Sequence, residues 1–136
     1  MYMKIDFDIA KLRDQVISHR RWLHQYPQIG YQEEKARDYI INFLKDLNFD
    51  EIKIMARTGI KAVIKGKEEG KTLAFRADMD ALSITEETEL EYASKHKGFM
   101  HACGHDGHMA MLLGFAQWLS ENKDNLSYNV VLLFQP

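Results

Sequence analysis

Apolar residues recur at helical spacing near the start of the chain. Ile9, Leu12, Val16, Trp22 and Leu23 predict an amphipathic helix over residues 8–25. The HQYPQIG stretch at 24–30 ends it, because Pro27 and Gly30 both interrupt helices. A second helix is expected at about 32–47, with Ala36, Tyr39, Ile40, Phe43, Leu44 and Leu47 on its apolar face. The period then changes. EIKIMA at 51–56 alternates apolar and polar, and IKAVIKG at 60–66 is rich in β-branched residues, so both read as strands. After a turn at Gly70, TLAFRAD at 72–78 reads as a third strand running into acidic residues. Residues 83–100 have weak periodicity and predict a loop with short structure. The clearest helix is 106–121, carrying Met109, Leu112, Leu113, Phe115, Ala116 and Leu119. Met109, Met111, Phe115 and Trp118 are all expected to face the core. NVVLLF at 129–134 is continuously apolar, which suits a strand covered on both faces.

Helices alternating with apolar strands predict an α/β fold: a three-layer sandwich with a mixed, largely parallel sheet. In such sheets ligands sit beyond the carboxyl ends of the strands. Two segments with charged or metal-competent side chains fall there. One is Asp78–Asp80 after the third strand, and the other is His101–His108 before the last helix. The last strand runs almost to Pro136, at the rim of this presumed site, so a truncated polypeptide is expected.

Composition narrows the picture. The 136 residues allow one domain, and 46% hydrophobic with 28% charged residues is ordinary for a soluble globular chain. There is no apolar stretch long enough to span a bilayer. Eighteen basic and 20 acidic side chains give a net charge of −2, which argues against a general nucleic-acid binder. One cysteine excludes an internal disulfide framework. The N-terminal MYMKIDFDIAKLRDQV lacks the apolar core of a signal peptide, so a reducing cytoplasm fits best.

The histidines carry the chemistry. Four of six (His96, His101, His105 and His108) lie within 13 residues. In HACGHDGH, His101, Cys103, His105, Asp106 and His108 offer thiolate, imidazole and carboxylate, a donor set suited to zinc and related transition metals. Cys103 and His105 are two apart, so an extended loop would point both the same way. Gly104 and Gly107 permit tight geometry. Asp106 could cap the helix or hold the tautomer of a ligating imidazole. Taken singly, Cys103 reads as a small buried hydrophobe and His108 as a surface or packed histidine. Their density favours an open site completed by residues elsewhere. Asp78 and Asp80 share a face of an extended chain, where either could reach a cation or pair with Arg76. Asp78 could also orient an imidazole. The acidic pairs Glu33-Glu34, Glu68-Glu69 and Glu86-Glu87 are explained by a helix dipole, a solvated turn and a loop run, and no general base is found.

HACGHDGHMA, preceded by FRADMDAL and RRWLHQYPQIGYQEEKA, closely resembles the aminoacylase/carboxypeptidase-type metallopeptidases. The nearest branch is that of the N-acyl-amino-acid amidohydrolases, including hippurate and indole-acetyl-amino-acid hydrolases. The resemblance covers about Arg13 to Pro136. It implies a zinc-exopeptidase-like catalytic domain with an inserted dimerisation domain, two divalent metal ions (Zn or Mn), and hydrolysis of the amide bond of an acyl-amino acid. Cys103 and His105 match metal ligands, and Asp78 matches the acidic residue beside the metals. Arg76 stands where distant relatives carry a histidine ligand. His101, Asp106 and His108 are accessory candidates. In the resembled family a Glu-Glu pair, general base and metal ligand, follows the Gln-Pro. Residues 1–136 then correspond to the N-terminal segment of the catalytic domain, without the dimerisation domain, the later ligands or the base. The expected partner is a small acyl-amino acid, with no nucleic acid and no membrane; a homodimer or larger assembly is left open for the complete protein. The competing expectation is a catalytically inert metal-binding or scaffold module.

Overall fold

The computed structural model describes residues 7–136 apart from residue 69. The first expected helix is in fact two, α1 (Phe7–Lys11) and α2 (Arg13–Gln25). Leu12 (φ −80°, ψ −10°) stands between them as the N-cap of α2. Helix α2 stops at Tyr26 (φ −126°, ψ 54°), because the residue before Pro27 is driven out of the helical region. Helix α3 spans Glu34–Lys45.

Strands β1 (Glu51–Met55) and β2 (Gly59–Ile64) form a hairpin. Its turn holds Ala56 and Arg57 at φ 45° and 68°, left-handed values that side chains rarely adopt. A buried hydrogen bond from the Thr58 hydroxyl to Glu33 Oε2, 2.5 Å, ties this strained turn to the start of α3. Glu33 is fully buried, so its partner is Thr58 and not solvent at a helix end. Strand β3 (Thr72–Asp78), helix α4 (His105–Glu121), a short 3₁₀ turn and β4 (Asn129–Gln135) complete the chain.

The sheet order is β1-β2-β4-β3. The sheet is mixed, as expected, but only β3–β4 is parallel, whereas β1–β2 and β2–β4 are antiparallel. A three-residue turn cannot make the crossover a parallel pair needs, so β1–β2 is antiparallel by necessity. Ile60, Ala62 and Ile64 of β2 align with Phe134, Leu132 and Val130 of β4 on one face. That face and residues of α3 and α4 make a single core. Lys61, Val63, Val131 and Leu133 point to the other face and are half-buried. Helices α3 and α4 pack on the first of these faces, giving the mixed α/β layering that the pattern predicts.

Strand β4 lies inside the sheet, between β2 and β3, so its continuous apolar run is paired on both edges. Helix α2 crosses α4 closely: a Cβ on Gly114 would lie 2.5 Å from Val16 Cγ2. Met109 is core, as expected, whereas Met111 is 59% exposed. No helix among the described residues is long and apolar enough to cross a membrane.

Candidate functional site

The parallel pair β3–β4 brings its two carboxyl ends together, with Asp78 opposite Gln135. The Met79 N–H bonds Gln135 O at 2.7 Å, so the chain leaves β3 still attached to β4. The long connection to α4 is then anchored to the 25–28 segment. The Ala81 N–H bonds Gln28 O (2.8 Å), the Lys95 N–H bonds Gln25 O (2.8 Å), and His96 Nδ1 donates to Pro27 O at 2.8 Å. Leu82 and Met100 exchange a pair of backbone bonds that closes the loop on itself.

Helix α4 begins beside β3. Gly104, at φ 87°, turns the chain sharply between Cys103 and the helix. A side chain would be strained there by conformation alone, since nothing lies within 4 Å of a Cβ. Cys103 and His105 converge through this turn rather than along an extended loop. Both meet Asp80. His105 Nδ1 lies 2.9 Å from Asp80 Oδ1 and 3.0 Å from Asp80 O, and Cys103 Sγ is 3.7 Å from the same carbonyl. Those oxygens only accept, so Nδ1 carries the proton and donates. In the neutral ring Nε2 then offers its lone pair outward. Nε2 stands 4.0 Å from Asp78 Oδ2.

Asp78 itself is held by Arg76, whose guanidinium contacts both carboxylate oxygens at 3.1 and 3.3 Å. The same guanidinium donates to Gln135 Oε1 at 2.6 Å. The carboxylate bonded to the His105 ring is thus that of Asp80, while Asp78, the expected orienting residue, lies on the Nε2 side of the same ring. The D-x-D spacing carried that signal, but the direction of each carboxylate depends on how the chain leaves β3. Beside Asp78 a cleft of about 540 Å³ opens between β3 and α4, with Phe75, Arg76, His108 and Phe115 on its walls. His108 is exposed, and its ring lies 5.9 Å from that of His105.

His101 and Asp106 are placed differently from expectation. His101 is 3% exposed and Nδ1 has no hydrogen-bond partner among the described residues. Burial holds its imidazolium form down to a pKa of about 4, against the pull of Asp106. Asp106 neither caps α4, whose N-cap is Gly104, nor touches His105. It is buried against His24 Nδ1 (2.6 Å) and Arg20 Nε (3.0 Å). His24 Nε2 in turn meets Glu86 Oε1 at 3.0 Å. Glu86, expected as part of a loop run without chemistry, has a side chain only 3% exposed. Burial raises its pKa, but hydrogen bonds from Thr88, the Ser94 N–H and His24 outweigh that and leave it below the ordinary value. No local pattern singles out His24 or Glu86, which are 62 residues apart.

Among the described residues, no three His, Cys, Asp or Glu side chains converge as a metal-holding group. Cys103 and His105 lie beside Asp78 and Asp80, and a thiol and an imidazole are donor types that suit zinc.

Residues 74–136 match the model of peptidase family M20/M25/M40. The chain is 48% identical over 129 residues to N-acetyl-L-cysteine deacetylase of Bacillus subtilis, covering 95% of this chain and 31% of that protein. It is 42% identical to the N-acyl-L-amino acid amidohydrolase of Geobacillus stearothermophilus, covering 93% and 34%. A solved structure from Bacillus subtilis, described as a dinuclear metal-binding peptidase of the M20 family, superimposes with a TM-score of 0.87 at 40% identity, over 93% of this chain and 36% of that one. The chain thus spans about a third of the length of the curated relatives it matches.

Proposed function

We propose, for a chain homologous to M20-family deacetylases and amidohydrolases over nearly its whole length, that these residues supply part of a two-metal site that hydrolyses the amide bond of N-acyl amino acids. The observation that carries this reading is the convergence of Cys103 and His105 on Asp80, at the carboxyl end of β3 and the start of α4. The donor set fits a divalent ion: a thiol, and an imidazole whose Nδ1–H is fixed so that Nε2 is free. Cys103 Sγ and His105 Nε2 are the ligands proposed, and Asp78 reaches the same space. Zinc or manganese bound there would polarise the scissile carbonyl and acidify a water. Asp80 holds the ring in its ligating tautomer. Arg76 keeps Asp78 aimed at His105, and Gln135 holds Arg76 in place. The cleft between β3 and α4 gives an apolar wall, Phe75 and Phe115, against which part of a small acyl-amino acid could rest. His101, Asp106 and His108 are not proposed as ligands. The proton acceptor that hydrolysis needs is not assigned to any residue of this chain.

The reading is tested by turnover of N-acetyl amino acids by the full gene product with its metal restored, in wild type and in Cys103→Ser and His105→Ala. Loss of both metal and turnover in both variants supports it, whereas full activity in both rejects it. A second reading is a metal-binding or scaffold module without catalysis, in which Cys103 and His105 take up an ion and turn nothing over. Metal uptake without chelator-sensitive turnover of any acyl-amino acid would favour it.

A further inference from the structure

Asp106 directly follows His105, but its side chain points into the protein and is 1% exposed. Its Oδ2 receives His24 Nδ1 and Arg20 Nε. The opposite nitrogen of the His24 ring meets Glu86, whose other oxygen takes the Ser94 N–H at 2.6 Å. The His24 ring also rests edge-on against Tyr92, 5.8 Å between centroids. Both ring nitrogens face carboxylate oxygens, so the ring is held from both sides. His24, Asp106 and Glu86 are buried, and Arg20, whose side chain is 36% exposed, closes the cluster on its outer side. Buried polar groups are costly unless paired, so the three buried members hold together as a set.

Three elements meet in this cluster: α2 through Arg20 and His24, the β3–α4 connection through Glu86, and α4 through Asp106. The same connection and the same turn of α4 carry Asp80, Cys103 and His105. Successive residues of a helix point about 100° apart. Pinning Asp106 therefore sets the rotation of the first turn of α4, and with it the direction of His105.

We propose that His24, clamped between Asp106 and Glu86, is a positioning residue that fixes the first turn of α4 so that His105 keeps its ring on Asp80 with Nε2 open. The consequence for metal binding rests on the reading of Cys103 and His105 as ligands; the effect on the His105 ring does not.

The test is NMR of the histidine ring N–H groups in the metal-free full gene product, followed by titration with Co(II) alone. Wild type is expected to show a hydrogen-bonded, slowly exchanging His105 Nδ1–H. His24→Gln, measured where circular dichroism shows it folded, is expected to lose that signal and to bind Co(II) about 10- to 100-fold more weakly. A folded His24→Gln with an unchanged His105 ring signal overturns the proposal, because the cluster would then serve stability alone. If His24→Gln does not fold, Glu86→Gln keeps the volume and the His24–Asp106 contact, and an unchanged ring signal there is equally decisive against the proposal. If the ring signal is lost in the variant while wild type takes up no Co(II), the positioning role stands and the metal reading falls.

Discussion

One residue, Asp80, holds the imidazole of His105 by both its carboxylate and its carbonyl oxygen. Removing the carboxylate leaves the carbonyl in place. We therefore expect Asp80→Ala to weaken Co(II) or Zn(II) binding by about 10-fold, the low end of what outer-shell partners contribute. Because the Asp80 side chain is 36% exposed, the melting temperature should stay near that of wild type. Calorimetric titration and a thermal melt on the same sample check both halves. Gly104 acts through its backbone. At φ 87° an L side chain is strained, so Gly104→Ala should destabilise by about 1–2 kcal/mol in urea unfolding. Gly104→Asn should lose less, since asparagine tolerates left-handed geometry, and equal losses would mean that the turn rebuilds itself.

Between elements, close packing and burial decide. The α2–α4 crossing depends on the missing side chain of Gly114, which faces Val16. Gly114→Ala should cost about 1–3 kcal/mol by overpacking, and Val16→Ala in the same chain should recover part of it. Strictly additive losses in that double-mutant cycle would show that the helices already move apart freely. The α2–α3 contact has a pH signature. His19 is buried against Tyr39 and Phe43, and burial lowers its pKa. The native state then binds fewer protons here than the unfolded chain. Stability from this group is present above the unfolded value of about 6.5 and is lost as pH falls below it, by at most about 1.4 kcal/mol per pH unit. His19→Phe should flatten the wild-type decline in denaturant midpoint between pH 6.5 and 5, and an identical decline in the variant would clear His19 of the effect. The elements themselves were legible because each carries a period: α3, α4 and β3 lie within two residues of where the pattern puts them. The break at Leu12 was not legible, because the apolar spacing runs through it. The β1–β2 turn gave no signal either, because Ala56 and Arg57 occupy left-handed positions that sequence would assign to glycine or asparagine.

At the scale of the whole molecule, pairing across the sheet changes what the pattern alone suggests. Spacing and residue type pointed to Cys103, His105 and Asp78, because their chemistry is local to two short strings. The D-x-D spacing singled out Asp80 without its partner, and nothing local singled out His24 or Glu86. Their roles come from contacts 25 to 82 residues apart in the chain, made only when α2, the connection and α4 pack together. The same limit applies to stickiness. The apolar run at 129–134 offers no free edge, because β4 is paired with β2 on one side and β3 on the other. Among the described residues the strand open along one edge beside the site is β3, and there Leu73 is 50% and Phe75 41% exposed. An unpaired edge with apolar side chains is a template for further pairing. We therefore expect the 136-residue chain to self-associate through β3 as concentration rises, seen as growth in scattering intensity. Leu73→Lys should suppress this, because Leu73 lies on the open edge and a charge there opposes edge-to-edge pairing. Phe75 is a poorer probe, since its ring packs on Phe115 at 4.8 Å and its loss would also loosen α4. Val131→Lys on β4 should instead destabilise the monomer without relieving association, because that strand has no free edge. Relief by Val131→Lys and none by Leu73→Lys would place the sticky surface on the sheet's second face rather than at the edge.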